Sequence, residues 1–290
     1  MGFANQSETL PFAVDVRRGL ERTAALRSDI DLVIVDNKLS GEVALTMANH
    51  LIERKVDIAI EYQIDYRAGN LIMDKFRRAG VPVIAVDIPI VGATFFGVDN
   101  YRAGHMAGVA LGEWIQKEWH GRIEQLLVLE EPRAGSLPEA RIQGQLDGLQ
   151  EMIGPISNEK IQYLDCGNTS EVSETAVGAH IKNVPSSAHI AIISFNDEAA
   201  FGALQATRKA EREKDVVIVG QGADRLIHAE IRNEASRLIG STAYMPEKYG
   251  EQLMELALEI LHGNPVSPAV YMKHVFINAH NIDHYYSPVE

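Results

Sequence analysis

The side chains in this sequence best suited to chemistry are polar or aromatic residues standing just after short apolar runs. Tyr62 follows Ile58 to Ile60, Asp87 follows Val81 to Val86, and Asn196 follows the run that ends at Ser194. Gln221 to Asp224, with Gly222 among them, follow Val216 to Val219, and Gln6 follows Phe3-Ala4-Asn5. Such a set can recognise a polar molecule: Asp accepts hydrogen bonds, Asn and Gln donate and accept, and Tyr adds a ring with a polar tip. Taken singly, each also suits a turn, because Asn, Asp and Gly end strands for local reasons. Several of them on one edge of a fold that binds ligands at that edge point to a pocket.

The motifs that tempt a catalytic reading are each incomplete. Gly220 and Gly222 have the G-x-G spacing of a dinucleotide site, but the third position is Arg225, whose bulk blocks the close approach of helix and strand. Glu130 and Glu131 are adjacent, so they cannot flank a substrate as an acid–base pair from one strand. Ser136 and Ser194 lack the G-x-S-x-G elbow, and no His pair has the H-E-x-x-H spacing. Cys166 is the only cysteine, which excludes an intrachain disulfide and a multi-cysteine metal site. It reads as an inert thiol near a strand end. The expectation is a binding protein, not an enzyme, with neither cofactor nor metal.

The elements that must position these residues follow from the apolar pattern. With 290 residues, 46% of them hydrophobic, two lobes suit the chain better than one core, which rarely grows beyond roughly 250 residues. Runs rich in Val and Ile at Leu32 to Val35, Ile58 to Ile60, Val81 to Val86, Leu126 to Leu129, His189 to Ser194 and Val216 to Val219 predict strands covered on both faces. Between them, amphipathic patterns predict helices at Phe12 to Leu26, Glu42 to Ile52, Ala68 to Ala79, Ala103 to Trp119, Ala140 to Met152 and Glu198 to Lys209. This alternation predicts an α/β fold with parallel sheets, whose right-handed crossovers gather the strand C-termini on one ligand-binding edge. Residues 1–4 read as the tail of a strand whose beginning is missing, before a helix opening at Pro11, where a missing N–H does no harm. A net charge of −13 opposes binding to a phosphate backbone, so nucleic acid is not an expected partner. No apolar run approaches the roughly 18 residues of a membrane span, and no basic segment with an apolar stretch marks a secretory signal.

Six segments, in order, carry a family resemblance. They are Phe3-Ala4-Asn5 with Pro11-Phe12; Val81 to Asp87; Gly97-Val98-Asp99-Asn100-Tyr101-Arg102-Ala103-Gly104; Arg141-Ile142-Gln143-Gly144; Asn196-Asp197-Glu198-Ala199-Ala200 with Gly202-Ala203; and Asn281 to Tyr286. Together the set resembles the type 1 periplasmic binding proteins, in particular the ribose-binding group of sugar receptors for ABC importers. The resemblance implies two doubly wound parallel-sheet lobes joined by three crossovers near Asn100, Ala243 and Pro268, with Asn281 to Tyr286 as the closing strand and tail. The lobes would be residues 1–100 with 245–268, and 101–244 with 269–290. It further implies that Asp87, Arg141 and Asn196 bond sugar oxygens while Phe12 covers sugar C–H surface. Gln6, Tyr62, Gly222, Asp224 and Tyr244 complete the expected site.

Departures shape the expected ligand. Gly222 stands at the family's acidic position, with Asp224 two residues on. Ile88 replaces a ligand Arg, Tyr244 a Gln, and Tyr62 an Asn, which implies fewer charges and more phenol than a ribose site. The implied ligand is a sugar or polyol, the implied partner a membrane permease, and the implied location the periplasm. The same fold serves lactose-repressor-type regulators, whose DNA-binding headpiece of roughly 60 residues has no counterpart in this sequence. The pattern predicts Arg141 at a helix start, where the macrodipole disfavours a cation. That oddity is resolved either by a ligand oxygen or by a salt bridge to a carboxylate such as Glu139.

Overall fold

The structure, a computed structural model, describes residues 1–288. In chain order the elements are β1 (Gly2–Asn5), α1 (Pro11–Ala25), β2 (Val33–Asp36), α2 (Gly41–Glu53), β3 (Ala59–Glu61), α3 (Tyr66–Arg78), β4 (Val83–Val86), β5 (Thr94–Gly97) and α4 (Asn100–Trp119). There follow β6 (Gln125–Glu130), α5 (Ser136–Ile153), β7 (Ile161–Asp165), α6 (Ser170–Ile181), β8 (Ile190–Ser194), α7 (Asp197–Lys209), β9 (Val216–Gly222), α8 (His228–Arg232), β10 (Leu238–Ala243), α9 (Tyr249–Leu261), β11 (Ala269–Tyr271), β12 (Val275–Asn278) and α10 (Ile282–Tyr285). They form two compact units. The first comprises Met1–Val98, Arg133–Pro138 and Met245–Lys273; the second comprises Asp99–Pro132, Glu139–Tyr244 and the chain from His274 onward.

The first unit holds a six-stranded sheet in the order β11-β5-β4-β3-β1-β2, parallel throughout. Its central strands are short and wholly buried, as Val83-Ile84-Ala85-Val86 illustrates. On one face Ala4, Ala59 and Val83 pack with Ala44, Ala48 and Leu51 of α2 and Ile72 and Phe76 of α3. Small residues on the strands leave room for the larger helix side chains, which is how two helices settle close to one sheet. The second unit has the order β12-β10-β9-β8-β6-β7, parallel except that β12 runs antiparallel to β10.

All six expected strands and all six expected helices form, with ends displaced by a few residues. Two of the strands that the apolar pattern missed lack such a run. β7 is a largely exposed edge strand, and β10 reads Leu-Ile-Gly-Ser-Thr-Ala, its apolar stretch broken by small polar residues. Three expectations need correction. The last unit boundary falls after Lys273, not near Pro268, because Ala269–Tyr271 pairs with Phe95–Gly97. The closing segment around Asn281 to Tyr286 is the short helix α10, while the final strand is β12 just before it. Arg141 lies in the second turn of α5, which begins at Ser136, so it is not at the helix start.

Candidate functional site

In both units the strand C-terminal edge is where loops run into helices, so each loop must satisfy the free N–H groups of a helix first turn. Ser40, Asp65, Asp99, Thr169 and Asn196 do this with their side chains. Polar residues therefore gather on these edges for a structural reason, and the ligand candidates stand among them.

On the rim of the first unit, Asp87 follows β4 with a φ of 56°. Non-glycine residues hold that left-handed conformation at a cost, which is found at functional positions more often than elsewhere. Its neighbour in the sheet must be glycine: a Cβ on Gly97 would lie 2.8 Å from Asp87 Oδ1 and 3.1 Å from its Cα. The hydroxyl of Tyr249 donates to Asp87 Oδ1 at 3.1 Å. The same phenol meets Phe12 edge-on at a centroid distance of 5.7 Å and Phe96 at 5.2 Å. Phe12 and Asp87 are thus tied together through Tyr249, a wholly buried residue at the start of α9. Sequence reasoning missed Tyr249, since its only signal was an aromatic residue opening an amphipathic stretch far along the chain. Gln6 and Tyr62 are both buried on the same edge, following β1 and β3.

Beneath this rim lies a buried polar group that was also missed. Glu61, the last residue of β3, is fully buried, and Asn37 Nδ2 donates to its Oε1 at 2.8 Å and to the Tyr62 carbonyl at 3.0 Å. Burial pushes the Glu61 carboxyl up to about 8, against the opposing effect of the Asn37 bond. At neutral pH it is held mainly in the protonated form, and through Asn37 it steadies the backbone at Tyr62.

The rim of the second unit is built around Arg141. Its Nε and Nη2 donate to Asn100 Oδ1 at 3.1 and 2.8 Å, and Nη1 donates to the Phe195 carbonyl at 2.7 Å. The guanidinium carbon lies 4.8 Å from the Phe195 ring centroid and 5.0 Å from that of Tyr244. Glu139 is not a hydrogen-bonding partner. Tyr244, at the end of β10, donates its hydroxyl to Gln221 Oε1 at 2.6 Å. Arg141 and Tyr244, two of the expected site residues, are therefore in contact, with Phe195 and Asn100 as members the sequence did not single out.

Asn196, Gly222 and Asp224 belong to the same rim but spend part of their bonding on the fold. Asn196 Oδ1 accepts from Ala199 N as the cap of α7, and its Nδ2 donates to Asn168 Oδ1 at 2.7 Å. Asp224 Oδ1 accepts from Leu226 N at 3.0 Å. Gly222 has a φ of 127° and Ala223 a φ of 49°, so the loop after β9 turns through conformations disfavoured for ordinary residues. Asp197 holds this loop. Its Oδ2 accepts from Asp224 N at 2.8 Å and its Oδ1 from Ser241 Oγ at 2.7 Å, while Ser241 Oγ accepts from Ala223 N at 3.0 Å. Burial pushes Asp197 up to about 7, opposed by those donors.

Cys166 follows β7, is fully buried, and donates from Sγ to the Glu130 carbonyl at 3.0 Å. Burial pushes its thiol up to about 12, which keeps it protonated and unreactive at physiological pH. Among the described residues, no three His, Cys, Asp or Glu side chains are placed to hold a metal ion. Each rim thus sets a strong hydrogen-bonding side chain, Asp87 or Arg141, near aromatic side chains, an arrangement suited to a polar molecule that also has apolar faces.

Residues 1–265 match the family described as periplasmic binding protein domain. No curated protein matches the sequence. Among solved structures, the chain is similar to a periplasmic solute-binding protein of an ABC transporter from Actinobacillus succinogenes 130z with bound D-allose: 21% identity over 98% of this chain and 99% of that one, with a TM-score of 0.83. An ABC transporter solute-binding protein from Bacillus halodurans C-125 with bound myo-inositol is similar at 17% identity, covering 98% and 96%, with a TM-score of 0.83. A fructose-binding periplasmic domain of a hybrid two-component system is similar at 20% identity, covering 97% and 90%, with a TM-score of 0.80.

Proposed function

We propose that this chain, which belongs to the periplasmic binding protein family, is an extracytoplasmic receptor for a sugar or polyol and delivers it to the permease of an ABC importer. The observation that carries the reading is the makeup of the two rims. Asp87 accepts from the hydroxyl of Tyr249, whose ring meets Phe12 and Phe96, and Arg141 beside Phe195 and Tyr244 is a donor among rings. A sugar has hydroxyls that both donate and accept, and C–H faces that pack on aromatic rings, so a rim of this makeup suits it. Gln6, Tyr62, Asn196, Gly222 and Asp224 would supply further contacts. D-Allose, myo-inositol and fructose, named for three similar structures, set the size of ligand to try first.

A thermal-shift screen against pentoses, hexoses, polyols and deoxy sugars tests the reading. A ligand at about a hundred times its dissociation constant adds roughly 2.7 kcal/mol to the folded state. For a chain of this size that is a shift on the order of 5 °C. A flat response across the whole library would refute a sugar receptor. A sensory role is the second reading, favoured by the likeness to the domain of a hybrid two-component system. The genes beside this one decide between them, a permease and ATPase for transport or a kinase for sensing.

A further inference from the structure

Arg141 is 6% exposed, so the partners of its guanidinium decide where the charge points. An arginine has five N–H donors and no acceptor. Three are engaged: Nε–H and one N–H of Nη2 by the single oxygen Asn100 Oδ1, and one N–H of Nη1 by the Phe195 carbonyl. None of these acceptors is a carboxylate, so the charge is held in place without being neutralised. That leaves one N–H on each terminal nitrogen.

Asn100 is the first residue of α4 and is itself buried. It reaches Arg141 because α4 and α5 pack backbone to backbone: a Cβ on Gly104 would fall 2.0 Å from the Arg141 carbonyl oxygen, and one on Gly144 2.1 Å from that of Tyr101. Asn100 also lies at the second residue past the unit boundary at Val98–Asp99. A long, flexible side chain is thereby held by a residue that is fixed in a helix first turn.

We infer that Asn100 is a positioning residue for sugar binding: it holds the guanidinium of Arg141 so that the two remaining donors, one on each terminal nitrogen, are offered to neighbouring hydroxyl oxygens of the ligand. The inference rests on the sugar-receptor reading above. Holding the donor before the ligand arrives removes an ordering cost from binding, so affinity depends on Asn100 without any contact between Asn100 and sugar.

The test uses the full chain, with D-allose, D-fructose, D-tagatose and myo-inositol as probes and the tightest of the four carried forward. Isothermal titration compares the wild type with Asn100→Ala, Asn100→Asp, Arg141→Ala and the double variant Asn100→Ala/Arg141→Ala. Asn100→Ala is expected to weaken binding about tenfold, the size of one charge-assisted hydrogen bond. Asn100→Asp keeps an acceptor oxygen and is expected to stay within about threefold of wild type. In the Arg141→Ala background, Asn100→Ala is expected to change nothing further, because there is no guanidinium left to hold. A second readout needs no ligand. The Nε–H signal of Arg141 in a nitrogen–proton spectrum, assigned by its loss in Arg141→Lys, should exchange slowly with water in the wild type and in Asn100→Asp, and rapidly in Asn100→Ala.

Three results overturn the inference while leaving the receptor reading intact: unchanged affinity in Asn100→Ala, an equal loss when Arg141 is already absent, or an Nε–H that stays protected without Asn100. Failure of all four probes to bind the wild type strikes the receptor reading itself, and this inference falls with it.

Discussion

In the first unit the charged group on the strand-end rim is an acceptor, Asp87, steered by the hydroxyl of Tyr249. In the second it is a donor, Arg141, steered by Asn100 Oδ1 and the Phe195 carbonyl. Each unit also holds a fully buried carboxyl, Glu61 in the first and Asp197 in the second, and the two are treated differently. Asp197 receives Ser241 Oγ and Asp224 N and so ties three segments of its rim together. Glu61 receives a single side-chain donor from Asn37, and its Oε2 is buried with no hydrogen-bond partner. One carboxyl is a structural hub whose bonds favour the ionised form. The other is a buried acid whose neutral form is the economical one, because an ionised carboxylate short of donors pays its full desolvation. A carboxyl ending a strand and one opening a helix are thus both buried, and the local donors decide the role of each.

The largest expected effect that separates the two is in the pH dependence of stability. Both carboxyls are raised in the folded state, Glu61 to about 8 and Asp197 to about 7. The folded protein then holds protons that the unfolded chain releases, so these contributions are fully present below the ordinary carboxylate range and are lost as pH rises through the raised values. For Glu61 the loss is on the order of 4 kcal/mol by pH 8 and above. Glu61→Gln should roughly halve the slope between about pH 5 and 7, where both groups contribute, and remove it between pH 7 and 8, in urea unfolding followed by circular dichroism. An unaltered slope above pH 7 would mean that Glu61 is not the group that titrates there.

Next in size is Asp197→Ala. It leaves the Ser241 hydroxyl and the Asp224 amide without their acceptor, and a cost of about 3 kcal/mol is expected. Both tryptophans of the chain, Trp114 and Trp119, belong to the second unit, so their fluorescence follows the unit in which the damage occurs. A loss below 1 kcal/mol would make Asp197 no more of a hub than Glu61.

Arg141→Ala is expected to weaken binding of the best sugar by about ten- to a hundredfold, from the roughly 1.5–3 kcal/mol of a charge-assisted bond. Unfolding of the unliganded variant should show a smaller loss. Lowered stability with full affinity would assign Arg141 to the fold and make the two rims unlike in function. The smallest effect belongs to Tyr249→Phe, which keeps the packing against Phe12 and Phe96 and removes one donor from Asp87. Titration should show a loss of about 1 kcal/mol, near fivefold. A tenfold or greater loss would indicate that the phenol does more than steer Asp87.

What the sequence determined by itself was the layer order and the positions of the rims. Runs such as Val83–Val86 and Ile190–Ser194 are apolar on consecutive positions because both faces of their strands are covered, and that signal is local. Asp87 was legible because it stands directly after such a run, and Asn196 and Asp224 because they follow one within a few residues. Strands β7, β10 and β11 were not, because an edge position or a partner supplied from far along the chain stabilises them in place of their own hydrophobicity. The steering residues were hidden for the same reason. Tyr249 lies 162 positions from Asp87, and Asn100 lies 41 from Arg141. Nothing local distinguishes a tyrosine or asparagine at a helix start that reaches a charged side chain from one that does not. Only the packing of α9 beside α1, and of α4 against α5 through their glycines, decides which charges are held and by what.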